Sequence, residues 1–159
     1  MGLLNSNIQN PDQILEQWSK CVDMANSNSD KRISSNNTFL TIEAALLAVM
    51  SFTGDWKNIL LSLVGIIVSV FWLGSINSYK TLNSVKYEII NELEQNLAAL
   101  PFTEEWERLQ RKKKYSLLTT TERMLPIIFI VLFSAVAIIA IVELILPLLC
   151  SCVSGGVTP

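Results

Sequence analysis

Two long stretches of this chain carry no charged residue at all: Ile59–Ser78 and Leu125–Val142. A helix rises about 1.5 Å per residue, so a run of ~18–20 apolar residues matches the ~30 Å hydrocarbon core of a bilayer. A soluble fold would have to bury both runs, and 159 residues leave little chain to cover them. Charge is displaced rather than merely scarce. Only 16% of the chain is charged, against about 25% in an ordinary soluble domain. Mean hydropathy is +0.40. These features predict an all-α membrane protein.

A third apolar segment runs from Phe39 to Phe52 and contains one carboxylate, Glu43. From Asn36 to Gly54 it is long enough to span; from Ala44 it is not. Its apolar residues surround the helix, and Gly54 sits in a short connection to the next span, as in a helical hairpin. Lys and Arg positions decide topology. Lys20, Lys31 and Arg32 precede the first segment, and Lys57 alone marks the hairpin tip. Eight basic residues lie between the second and third segments, and none follows the third. Three crossings, with the N-terminus in the cytosol and the C-terminus outside, put both rich segments inside. The expected organisation is a cytosolic tail with a short helix (1–35), a transmembrane hairpin (36–77), a cytosolic helical region (78–123), a third transmembrane helix (124–149) and an outer tail (150–159).

The chain has no histidine. A Ser-His-Asp or Cys-His nucleophile system cannot form within it, nor can a His-ligated metal or haem site. With no cofactor motif either, a non-enzymatic protein without cofactors is expected. A net charge of -2 argues against direct nucleic-acid binding. The first 35 residues hold no apolar signal-peptide core. Met1-Gly2 with Ser6 fits the myristoylation pattern weakly.

Outside the spans, three amphipathic pieces stand out. Asn10-Pro11-Asp12 reads as a helix start, followed by Ile14, Leu15, Trp18, Cys21, Val22 and Ala25 at helical spacing, with Asn26–Ser29 as its end. After Ser78, Leu82, Val85, Ile89, Leu93, Leu97 and Leu100 form a stripe that Pro101 stops. That stripe needs a cover, and self-association supplies one. Leu82, Val85, Ile89 and Leu93 are therefore candidate oligomer contacts. Gly65 and Ser69 join them as a small-xxx-small pair within the second span. Thr103 is expected to cap a further helix, with acids at its start and Arg111, Lys112, Lys113 and Lys114 at its end, complementing the helix dipole. Those basic residues, with Trp18 and Trp106, are candidate contacts for anionic lipid or a cytosolic partner. Trp56 and Trp72 fit two interface anchors. Thr119 and Glu122 resemble a capping box, and Pro126 either starts or kinks the third membrane helix.

Chemistry rests on carboxylates. Glu43 falls about 10 Å into the first span from Asn37, and Glu143 near the outer end of the third. An intramembrane acid costs about 2.5–3.5 kcal/mol on insertion scales. No Lys or Arg lies within a span to pair with Glu43. In an oligomer Glu43 would form an acidic ring selecting cations, with Glu143 as a second pathway residue. The bland alternative is that Glu43 reaches back toward Asn36, Asn37 and Thr38. Cys21 is expected reduced, and Cys150 with Cys152 is a weak metal signal.

Several short pieces of the chain carry a resemblance. They are Lys31-Arg32 before Asn37-Thr38-Phe39-Leu40; Trp72; Ser78-Tyr79-x-x-Leu82-Asn83-Ser84-x-Lys86; Glu92-x-Glu94 before Leu100-Pro101-Phe102; Glu105-Trp106; and Glu122-Arg123-x-x-Pro126. In these the chain resembles the RipA-type family of small octameric bacterial inner-membrane proteins. The resemblance implies a homo-oligomer in the bacterial inner membrane, with cytosolic helices; it does not imply a catalytic activity. More loosely, the chain is similar to channel-forming membrane effectors of anti-phage systems of the Hailong type, in which a cytosolic nucleotidyltransferase controls the membrane protein. Two functional expectations follow. One is a gated ion pathway or membrane-depolarising effector that works through Glu43. The other is a non-conducting scaffold that docks a cytosolic regulatory protein.

Overall fold

In a computed structural model all the regular elements among the described residues are helices. Residues 10–52, 56–111 and 118–154 are described, with side chains for 10–52, 56–109, 111 and 120–146. The myristoylation pattern, Gly54, Lys112 to Lys114, and the side chains of Thr119, Cys150 and Cys152 lie outside them. Helix α1 covers Pro11–Met50, α2 Trp56–Glu94, α3 Pro101–Arg111 and α4 Leu118–Ser154. The chain divides into two units, Met1–Ser35 with Ile76–Thr121 and Asn36–Ser75 with Glu122–Pro159.

The start of α1 follows from its sequence. The Asn10 side chain accepts the Asp12 backbone N–H at 3.2 Å, and Pro11 takes the first helical position, where no N–H is needed. The expected end at Asn26–Ser29 is not there: α1 runs on to Met50. The polar side chains that argued for a break are used across the α1–α2 contact instead. Asn28 is buried and donates to the Asn83 side-chain oxygen, and Ser29 Oγ accepts the Asn83 side-chain N–H at 3.5 Å while donating to the Ala25 carbonyl at 3.2 Å. Asn and Ser weaken a helix when their side chains compete for its backbone. Here Asn28 has a partner on another helix, and that competition is removed.

Within the first unit, Ala25, Ile76, Ile90 and Leu93 are buried. Lys86 Nζ donates to the Met24 carbonyl at 3.3 Å. Helix α2 continues past Ser78 as expected, but it ends at Glu94 rather than at Leu100-Pro101. A turn follows, with the Asn96 and Leu97 N–H groups on the Leu93 and Glu94 carbonyls. The cap of α3 also differs from expectation. Pro101 opens the helix, the Leu100 carbonyl accepts the Glu104 N–H at 3.0 Å, and Thr103 sits inside the first turn. Capping comes from α2. Buried Glu94 accepts the Phe102 N–H at 2.8 Å, the Thr103 N–H at 3.1 Å and the Thr103 hydroxyl at 2.9 Å. The i,i+4 pairs Glu16–Lys20, Glu104–Arg108 and Glu107–Arg111 lie on exposed surface, where such pairs contribute little. Lys20 holds the Glu16 carboxyl below its ordinary range by direct hydrogen bonding.

The second unit packs around aromatic rings. Phe39 stacks on Trp72 at 5.9 Å, Trp72 meets Phe129 at 6.2 Å, and Phe129 stacks on Phe133 at 6.2 Å. Trp72 is 1% exposed, so it is a core residue and not the interface anchor expected from its spacing with Trp56. Pro126 is buried inside α4, eight residues beyond Leu118, so it does not start the helix. Helix α2 and residues Thr120–Leu146 of α4 are each long and apolar enough to cross a membrane. At 39 residues, α2 is about 58 Å long, nearly twice a bilayer core. Large apolar side chains line its surface and that of α4, with Phe71 69%, Val131 63% and Ile138 62% exposed. Water would make that surface costly.

Candidate functional site

Glu43 lies on the apolar half of α1, and the fold encloses it completely. Its surroundings come from α2. Ser62, Gly65 and Ser69 recur at helical spacing and form one small-residue face. Ser62 and Ser69 are fully buried. Ser69 Oγ donates to Glu43 Oε1 at 2.6 Å. The other oxygen, Oε2, is buried without a hydrogen-bond partner. Ser62 turns its hydroxyl onto the Asn58 carbonyl of its own helix at 2.7 Å.

Phe133 of α4 closes the same region. A Cβ built on Gly65 would lie 2.6 Å from the Phe133 ring, so only glycine allows this approach. The expected retreat of Glu43 toward Asn36 is not made. Asn36 Oδ1 accepts the Trp72 indole N–H at 2.9 Å, and Thr41 hydrogen-bonds the Asn37 carbonyl at 2.8 Å. Glu43 is thus a carboxyl group with one short neutral hydrogen bond and one bare oxygen, in an apolar interior. Such a group is expensive to keep.

The other predicted residues fall into three situations. Gly65, Ser69 and Leu93 are buried within the single chain. Close packing between helices of one subunit uses them. Leu82 and Val85 are 47% and 48% exposed, and Ile89 is half-buried. Trp18 is half-buried against Phe102 at 5.8 Å, whereas Trp106 is 49% exposed. Arg111 is exposed and pairs with Glu107. Glu143 is exposed, in contrast to Glu43. Sequence reasoning missed Asn36, Phe133 and Glu94. Their role depends on a partner from another helix, and only the small-residue face hinted that one of α2's neighbours comes close.

Two long apolar helices and a carboxyl group enclosed between helices define an all-α membrane protein. Its family is shown by comparison: the chain belongs to the octameric membrane protein family, whose model matches residues 15–142. This agrees with the resemblance drawn from the sequence, and it makes self-association in a membrane a property of the group. No curated protein and no solved structure matches the chain.

Proposed function

We propose that this protein is an oligomeric inner-membrane ion pathway, gated through its cytosolic helices, in which Glu43 is the selecting group. The observation that carries the reading is the enclosed Glu43 carboxyl, with Ser69 as its one hydrogen-bond partner and Oε2 bare. A side chain this costly in an apolar setting marks a functional position. In the single chain Glu43 is shielded, so the described arrangement is the closed one. Opening takes Glu43 away from Ser69 and toward a path shared by neighbouring subunits, with the exposed Glu143 as a second polar point.

The topology in this proposal has three crossings, the N-terminus inside and the C-terminus outside. The alternation of Lys and Arg supports it. Exposed Leu82 and Val85 supply an apolar contact between subunits outside the membrane. Enzymatic activity has no part in the proposal. The looser resemblance to anti-phage effectors suggests membrane depolarisation in defence as the physiological use. A second reading, a non-conducting scaffold for a cytosolic regulatory protein, draws on half-exposed Trp106.

The test is cation flux into liposomes containing the purified oligomer. Glu43→Gln keeps the shape and the Ser69 contact but removes the charge. Flux is expected to fall with assembly unchanged, because the constriction loses its charge. Undiminished flux in Glu43→Gln rejects the acidic pathway. No flux from the native protein under any gating condition favours the scaffold.

A further inference from the structure

The first unit contains a second feature that the ion pathway does not use. Helix α3 and the second half of α2 border an open-sided cavity of about 580 Å³. Small-molecule sites measure roughly 300–1,000 Å³. Its wall includes three aromatic side chains, Tyr87, Phe102 and Trp106, and three acceptor-bearing ones, Glu88, Asn91 and Glu105. Neither Lys nor Arg is among its described lining residues.

The wall is built rather than incidental. Phe102 is held by Trp18 at 5.8 Å, by the Tyr87 ring at 6.0 Å edge-on, and by its own N–H on Glu94 at 2.8 Å. Aromatic faces attract cations through their quadrupole, and desolvation strengthens the attraction. Two carboxylates repel an anion. Both considerations select the same chemistry. We infer that the cavity between α2 and α3 is a binding site for a small organic cation, an ammonium or guanidinium group carried on a short apolar stem. The cation lies against Trp106, Tyr87 and Phe102. Glu88 and Glu105 balance its charge.

Two sources could present that group: a soluble amine, or the ethanolamine headgroup of a lipid. Binding is read without any flux measurement, so the inference stands or falls independently of the ion pathway. The test uses the full chain in nanodiscs of phosphatidylglycerol alone. Butylammonium and butylguanidinium are titrated by calorimetry, with 1-butanol as the neutral control. Both cations are expected to bind saturably, at least about tenfold more tightly than 1-butanol. Glu88→Gln with Glu105→Gln should weaken the cations about tenfold and leave 1-butanol unchanged. Glu104→Gln, outside the wall, should change neither. Trp106→Ala removes one aromatic face and should weaken both cations. Equal binding of cation and alcohol, insensitivity to the double substitution, or no saturable cation binding each overturns the inference. Adding phosphatidylethanolamine to the nanodiscs then assigns the source. A rise in the apparent Kd of the probes means that the headgroup occupies the site, and an unchanged Kd means a soluble amine does.

Discussion

The Ser69 hydroxyl on α2 donates a 2.6 Å hydrogen bond to Oε1 of Glu43 on α1, and both side chains are fully buried. This contact ties two helices together through the most costly group in the second unit. Interhelical hydrogen bonds in membranes average about 0.6 kcal/mol and reach about 1.7. Removing the donor here strips the last partner from a buried carboxyl group, so the upper end applies. Ser69→Ala is expected to lower stability by about 1–2 kcal/mol, read as a lower melting temperature in detergent. Glu43→Leu in the same background removes the stranded group and should restore most of the loss. A Ser69→Ala protein as stable as the native one would show that the bond contributes nothing.

Gly65 and Phe133 make a second, purely steric pair. A Cβ at Gly65 would meet the Phe133 ring at 2.6–2.7 Å, and that ring is fully buried and stacked on Phe129. It has little room to yield. Gly65→Ala should therefore cost about 1–3 kcal/mol despite the better helix propensity of alanine. Phe133→Leu in the same chain should relieve much of this, giving a coupling of at least about 0.5 kcal/mol in a double-mutant cycle. Gly74 is the internal control. Nothing lies within 4 Å of a Cβ there, so Gly74→Ala should be neutral or stabilising.

These two pairs show what sequence could and could not reveal. Charge-free length exposed the membrane helices at once, because bilayer thickness is a fixed ruler. The small face of Ser62, Gly65 and Ser69 announced close approach. It did not say to what, because spacing within one helix carries no information about the partner. Trp72 was misplaced for the same reason: an indole 16 positions from Trp56 suits a headgroup anchor, but Asn36 from α1 gives its N–H a partner in the interior. The polar run at Asn26–Ser29 misled in the opposite direction. Its propensity favours a break, and the contact with Asn83 outweighs it. The enclosed state of Glu43 depends on how α1, α2 and α4 pack, which a local pattern cannot show.

The Asn36–Trp72 pair yields its own prediction. The Trp72 ring is 1% exposed and lies between Phe39 and Phe129, so its N–H cannot turn to water if Asn36 is lost. Asn36→Ala should cost about 1–3 kcal/mol, the usual effect of stranding one buried donor. Trp72→Phe added to Asn36→Ala removes that donor, and it should be less damaging than in the native background. Chemical-denaturant titrations of the four variants in detergent provide the cycle. An additive result would mean that the indole N–H finds another acceptor.

Glu94 closes α2 and caps α3 at once, through the Phe102 N–H, the Thr103 N–H and the Thr103 hydroxyl. Backbone donors at a helix N-terminus favour a negative charge, and charge-assisted bonds are about twice as strong as neutral ones. Loss of an ordinary cap costs about 1 kcal/mol. Glu94→Ala strands two donors together, so about 1–2 kcal/mol is expected. The effect should be local. Amide hydrogen exchange across Pro101–Arg111 should quicken by a factor of about 5–30, while exchange in the apolar half of α2 stays unchanged. Glu94→Gln retains an acceptor and should fall between the two. Phe102 also forms part of the cavity wall, so butylammonium affinity should fall with cap strength in the order native, Glu94→Gln, Glu94→Ala. Faster exchange in α3 with full cation affinity would separate the cap from the cavity and show that the wall holds its shape without it.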